Sequence, residues 1–236
     1  MKNNSIPIPQ GDDLCRCHLY ILKLRGSALM FIRVDSLFRG NIMSLSVQDL
    51  LTLKELPSED DLTLQLLAFF YEEHICHQIF HYKIRDKRRD IQLRFKTIDL
   101  PHLLGIHKIK TGSGYRGKRG FPELKNGNIT LDLLKSANIG GYESTIHRIL
   151  HFPFLYQLIH APTFIIFNPH IARSMIDAEF MLYNRYSGRY IHLGIKKEAS
   201  TDLYTPVTFL ERKNVYNGMK IVPVDEIIII PEKKDT

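Results

Sequence analysis

The chain has 236 residues, 44% of them hydrophobic, and carries a formal net charge of +7. That apolar content supports one sizeable domain with an appendage. No apolar run reaches the roughly 18–20 residues of a membrane helix, so no membrane partner is expected. The surplus charge is unevenly placed: residues 1–60 carry seven basic and seven acidic side chains, whereas residues 61–236 carry 25 basic and 18 acidic. Within 83–125 there are 13 Lys or Arg against four acids (Asp86, Asp90, Asp99, Glu123). A cationic stretch with Tyr115 and Phe121 among it suits a polyanion, of which nucleic acid is the commonest. Cys15, Cys17 and Cys76 make an odd count without paired CxxC spacing and read as reduced thiols. With no apolar h-region in MKNNSIPIPQGDD, the expected location is cytoplasmic.

In chain order, residues 1–60 read as an N-terminal extension, with a loose, polar start and an apolar but interrupted stretch from Leu19 to Val34. Ser46 is placed to cap a short helix ending near Pro57. Ser58 to Asp61 then opens a longer helix, with an apolar stripe running from Leu62 through Leu66, Phe69, Phe70 and Ile75 to Ile79. Tyr82 to Ile98 reads as a hairpin, bent afterwards at Asp99-Leu100-Pro101. Lys108 to Gly127 is expected as a basic, flexible loop. Asn128 is placed to cap a helix from Ile129 to about Ala137, closed by Gly140-Gly141, and a helix from Glu143 to His160 follows, interrupted at Pro153. Five strands are expected after it: Thr163–Phe167, Ala178–Asn184, Tyr190–Ile195, Tyr204–Leu210 and Glu226–Ile230, with a tight turn at Ser187-Gly188. Helices first and consecutive strands later give an α+β fold in which helices pack on an antiparallel sheet. The domain is expected over 61–231, with a short tail at 232–236.

His102 lies in a Leu-rich turn between cations, and a histidine is an acid or base near neutral pH. His192 lies in Tyr190-Ile191-His192-Leu193-Gly194. Alternation puts Ile191 and Leu193 on the core face and His192 on an open one, flanked by Arg189 and Lys196. In Tyr204-Thr205-Pro206-Val207-Thr208-Phe209, the same rule puts Tyr204 and Thr208 together on one face, beside His192 if the strands pair. His74, His77 and His81 are spaced along the long helix but lack the HExxH order and a distant carboxylate, so they read as helix-surface histidines, as do His147 and His151. Gly112-Ser113-Gly114-Tyr115-Arg116-Gly117-Lys118-Arg119 matches GxGxxG without the strand–loop–helix context of a phosphate cradle. With no dense carboxylate cluster for two-metal chemistry, neither a metal site nor a cofactor is expected.

The order Ile91-x-Leu93-x-Phe95, Leu100-Pro-His-Leu-Leu-Gly-Ile106, Tyr190-Ile-His-Leu-Gly194 and Tyr204-x-Pro-Val-Thr-Phe209 resembles a phage-associated nuclease domain family. That family is placed in the barnase/EndoU/colicin/RelE-like superfamily, and the likeness covers roughly residues 62–230. The resemblance implies a small metal-independent endoribonuclease of phage or mobile-element type, with helices packed on a sheet whose open face binds RNA. It implies His102, His192, Tyr204 and Thr208 as catalytic candidates. Arg94, Lys96, Lys108, Arg116, Lys118, Arg119 and Lys196 are the phosphate- or RNA-binding candidates. The expected chemistry is attack of a ribose 2′-OH on phosphorus, giving a 2′,3′-cyclic phosphate. RNA is the expected partner, in a bacterial or phage-infected cell, with room for a neutralising or regulatory protein. The alternative is a non-catalytic module that holds RNA or a protein on the basic surface.

Overall fold

The computed structural model describes residues 45–85 and 90–232. The described chain begins with α1 (Val47–Leu51), capped by Ser46: the Asp49 backbone N–H donates to the Ser46 hydroxyl, and the Ser46 N–H donates to the Asp49 carboxylate. Leu50 of this helix is fully buried, and the Gln157 side-chain amide donates to the Leu53 carbonyl at 2.6 Å. Residues 45–60, expected in the extension, therefore pack against the domain.

α2 (Leu64–His74) starts at a Thr63 cap and stops three residues before His77, which sits in the left-handed region at φ 62°. The expected longer helix is thus cut short, because the chain turns into β1 (Gln78–Ile84) and pairs antiparallel with β2 (Ile91–Arg94). His74 and His81 consequently share no helix face. Phe80, Tyr82 and Ile84 alternate inward along β1. The Tyr82 hydroxyl donates to the Ile159 carbonyl at 2.8 Å, satisfying a phenol buried in the core.

The middle of the chain is helical throughout. α3 (Leu100–Leu103) carries Pro101 in its first turn, and Gly105 at φ 77° reverses the backbone into α4 (Ile106–Ile109). The basic stretch expected as a loop forms α5 (Gly117–Lys125). Glycine is a poor helix former, but packing decides here. Phe121 and Leu124 are buried, and a Cβ at Gly120 would lie 2.8 Å from the Pro101 ring. α6 (Leu131–Ala137) is capped by Thr130 rather than Asn128. Gly140 and Gly141 open α7 (Ile139–His151) instead of closing α6. Pro153 then separates α7 from α8 (Phe154–His160).

β3 (Thr163–Ile166), α9 (Pro169–Ala172), β4 (Phe180–Tyr186), β5 (Arg189–Lys197), β6 (Leu203–Arg212), β7 (Ile221–Val222) and β8 (Val224–Pro231) complete the chain. The β4–β5 turn holds both Ser187 (φ 46°) and Gly188 (φ 77°) at positive φ, the geometry of a tight primed hairpin. All eight strands join one sheet in the order β7-β3-β4-β5-β6-β2-β1-β8. Every pairing is antiparallel except β2 with β6, so the fold is α+β with an almost wholly antiparallel sheet. The early hairpin therefore belongs to the same sheet as the late strands. Ile191, Leu193, Ile195, Tyr204 and Phe209 join the main core with Phe70, Ile149, Phe152 and Leu158 of the helices. A smaller cluster of Ile165, Phe167, Ala178, Met181 and Tyr216 covers part of the opposite face.

Candidate active site

β6 is the strand that positions the site. Pro206 has no N–H to give to a ladder, and the β5–β6 register shifts beside it: Ile195 faces Pro206 while Gly194 faces Thr208. Val207 is the extra residue, so β6 is bulged there. On its other side β6 is paired by the short β2 only at Leu203 and Tyr204, which leaves Val207 on an uncovered stretch of edge. α3 fills that gap, and the exposed His102 places Nε2 3.0 Å from the Val207 carbonyl oxygen. A carbonyl only accepts, so Nε2 carries the proton in this bond. Nδ1 is then left as the basic nitrogen of the neutral ring.

His107 stacks on His102, with ring centroids 4.7 Å apart and planes 6° from parallel. Burial, the His102 charge, then Lys108, Arg148 and Arg116 hold His107 below the usual histidine range. Its Nδ1 is buried and makes no hydrogen bond among the described residues. Arg148, from α7, is half-buried, and desolvation lowers its pKa as well. Among the described residues no carboxylate pairs with its guanidinium. Gly105 lets α7 come close: a Cβ there would lie 3.0 Å from the Thr145 methyl and 3.1 Å from Arg148 Nη1. Lys108 is pushed down by burial and then by Arg148. Asp99, on which the His102 charge acts, accepts the Lys96 backbone N–H at 2.8 Å; burial raises its pKa, against that bond and the charges of Lys96 and His102.

Lys108, Arg116 and Arg148 thus set positive charge around the stacked pair His102 and His107, with no carboxylate paired to them among the described residues. Such a patch stabilises an anion and, in a partly dry setting, does so more strongly than in water.

The other expected residues lie elsewhere. Arg94 is paired with Glu198 at 3.0 Å and Glu232 at 3.1 Å, Lys96 with Glu198 at 2.6 Å, and Lys196 with Asp177 at 2.6 Å. Lys118 and Arg119 are exposed on α5, with Arg119 within 3.4 Å of the Ser113 hydroxyl. The expected open-face His192 is instead fully buried, because Tyr216 folds over it at 5.2 Å and Tyr183 stacks on it at 5.7 Å. The expected common face of Tyr204 and Thr208 is broken by the Val207 bulge, which inverts the alternation. Tyr204 packs into the main core against Phe180, while Thr208 pairs with Gly194 on the opposite face. His107 and Arg148 complete the cluster and were missed. The signal for His107 was a five-residue step from His102 across a glycine, and for Arg148 a lone cation between Ile146 and Ile149.

Burial, followed by the Arg212 charge, pushes the His192 imidazole down to about 4. The unfolded chain takes up this proton near 6.5, so the stability contributed is complete above that pH and is lost as pH falls toward 4. The loss amounts to about 3 kcal/mol. Denaturant titrations between pH 7.5 and 4 should show a fall in wild type that is smaller by about that amount in His192→Phe, whose ring suits the surrounding tyrosines.

No curated protein and no solved structure gives a match to this chain. A family model does match, over residues 63–236, which include every element from α2 to β8 and His102, His107, Lys108, Arg116 and Arg148. A solvent-facing imidazole held by one nitrogen, set at the edge of an antiparallel sheet near cations that pair with no carboxylate among the described residues, is consistent with phosphodiester chemistry. By that match the chain belongs to the phage-Barnase-EndoU-ColicinE5/D-RelE like nuclease 4 family.

Proposed function

We propose that this nuclease is a metal-independent endoribonuclease whose reacting phosphate sits among His102, Lys108, Arg116 and Arg148. The observation that carries the reading is the anchored imidazole: Nε2 of His102 is committed to Val207, Nδ1 is left as the basic nitrogen, and the ring stacks on His107, on which the charges of Lys108, Arg148 and Arg116 act. His102 Nδ1 takes the ribose 2′-OH proton as O2′ bonds to phosphorus. The P–O5′ bond breaks, leaving a 2′,3′-cyclic phosphate, and the departing O5′ takes a proton from Lys108. The lowered pKa of that ammonium makes it a better acid than an ordinary lysine. Arg148 and Arg116 balance the charge that develops on the non-bridging oxygens. His107, held neutral, backs the His102 ring and keeps a second imidazolium from forming against it. His192 and Tyr204 are scaffold in this reading, and Thr208 lines the neighbouring face.

The residue chemistry supports a route without metal. Among the described residues no three His, Cys, Asp or Glu side chains are placed to hold a metal ion, and the charges around His102 repel a divalent cation. Incubating the full chain in EDTA with matched single-stranded RNA and DNA oligonucleotides tests the proposal. RNA fragments ending in a 2′,3′-cyclic phosphate, with their downstream partners starting in a 5′-OH, are expected, and the DNA stays intact. Equal cleavage of the DNA, or loss of RNA cleavage in EDTA, overturns it.

A further inference from the structure

The face of the sheet opposite the helices carries a second constellation that the proposed chemistry does not use. The β4–β5–β6 registers set residues into rows across three strands. Arg185, Tyr190 and Arg212 form one row, Tyr183, His192 and Leu210 the next, and Met181, Gly194 and Thr208 the third. The third row adjoins the Val207 bulge that anchors His102. From Thr208 to Arg212 is four residues of strand, or roughly 13 Å at ~3.3 Å per residue.

The rings in these rows touch. Tyr183 and Tyr190 have centroids 6.3 Å apart, and both lean on the buried His192, at 5.7 Å and 6.5 Å. Both tyrosines are half-buried, so each is fixed on one side and open on the other. The Arg185 guanidinium lies 5.9 Å from the Tyr190 ring centre and that of Arg212 lies 4.1 Å from Tyr216. Among the described residues neither guanidinium has a carboxylate partner, although Arg189 next to them is paired with Glu211. Beneath them, His192 is fully buried, and neither ring nitrogen has a partner in hydrogen-bonding geometry among the described residues. An imidazole in that position serves as a flat support for the tyrosines and not as a polar contact.

We infer that Tyr183 and Tyr190, flanked by Arg185 and Arg212, are a base-stacking strip that holds unpaired nucleotides adjoining the one at His102. Aromatic faces take any base, and unpaired arginines take the phosphates between bases, which is how single strands are held without sequence reading. A duplex keeps its bases inside and cannot use the strip. The inference requires that the substrate be single-stranded nucleic acid and is independent of which group moves the proton.

Fluorescence anisotropy of a labelled, single-stranded 2′-O-methyl RNA on the full-length chain tests it, since that probe lacks the attacking hydroxyl. Tyr190→Ala and Tyr183→Ala should each weaken binding about tenfold, whereas the Phe variants stay within about twofold. Arg185→Ala should lower the slope of log affinity against log salt by about one. A probe with abasic residues should bind wild type as weakly as the intact probe binds Tyr190→Ala. This arm stands even if an alanine variant fails to fold. Equal binding of the abasic and intact probes, or of a duplex of the same length, overturns the strip and leaves a purely charged surface, as an acidic peptide would also use. Wild type that cleaves RNA but binds no 2′-O-methyl probe also overturns the strip while leaving the His102 chemistry standing.

Discussion

Replacing His102 with glutamine is expected to lower the rate of RNA cleavage by about 10³-fold while barely changing stability. The glutamine amide can still donate to the Val207 carbonyl from nearly the position of Nε2, so the contact between α3 and the bulged edge survives. What it lacks is a basic nitrogen at the position of Nδ1. An alanine there removes both, and also the stacking partner of His107. If the two variants lose the same rate, proton transfer is the missing function; if only alanine is slow, the imidazole serves as a spacer. A His102→Gln enzyme within threefold of wild type sinks the assignment. A second readout follows from the stack. Because the His102 charge helps to hold His107 low, His107 should titrate at higher pH in either variant, visible in its imidazole NMR shifts. That shift reports the electrostatic coupling directly and is independent of any substrate.

Much of the sheet was legible because its signal is local. Alternating apolar residues, Gly or Ser turns and β-branched runs located β3, β4, β5, β6 and β8 to within a few residues. The helix ends were less legible, since Gly120 and Gly141 speak against helix by propensity and for it only through the Pro101 ring and the Ile109 backbone they pack against. The cationic block also changed meaning on folding. Lys83, Arg85, Arg94, Lys96 and Lys125 all meet carboxylates brought from distant parts of the chain, leaving near His102 a smaller set that is unpaired among the described residues. Charge density along a sequence counts cations but does not see their partners. His192 failed for a related reason. Alternation correctly separated it from Ile191 and Leu193, but a strand pattern cannot show that Tyr216, two dozen residues later, covers the opposite face. The Val207 bulge was equally silent, with Pro206 as its one hint, and it decides where both Tyr204 and His102 end up.

Arg148 offers the clearest separation of stability from function. A guanidinium that is half-buried near His107 and Lys108, without a carboxylate partner among the described residues, is unfavourable in the free protein, as its lowered pKa and that of Lys108 indicate. Positive charge retained against that cost is expected where an anion binds, because the ligand supplies the missing partner. Arg148→Met keeps the aliphatic packing against Gly105 and removes the charge. The variant should melt at the same or a higher temperature than wild type, yet cleave RNA about 10²–10³-fold more slowly. Inorganic phosphate should raise the melting temperature of wild type and leave that of Arg148→Met nearly unchanged, since only the wild-type site gains from binding the anion. His107 should titrate at higher pH in the variant, because one of the charges holding it down is gone. A less stable Arg148→Met that cleaves RNA at the wild-type rate makes Arg148 a structural cation and moves the phosphate site to Lys108 and Arg116.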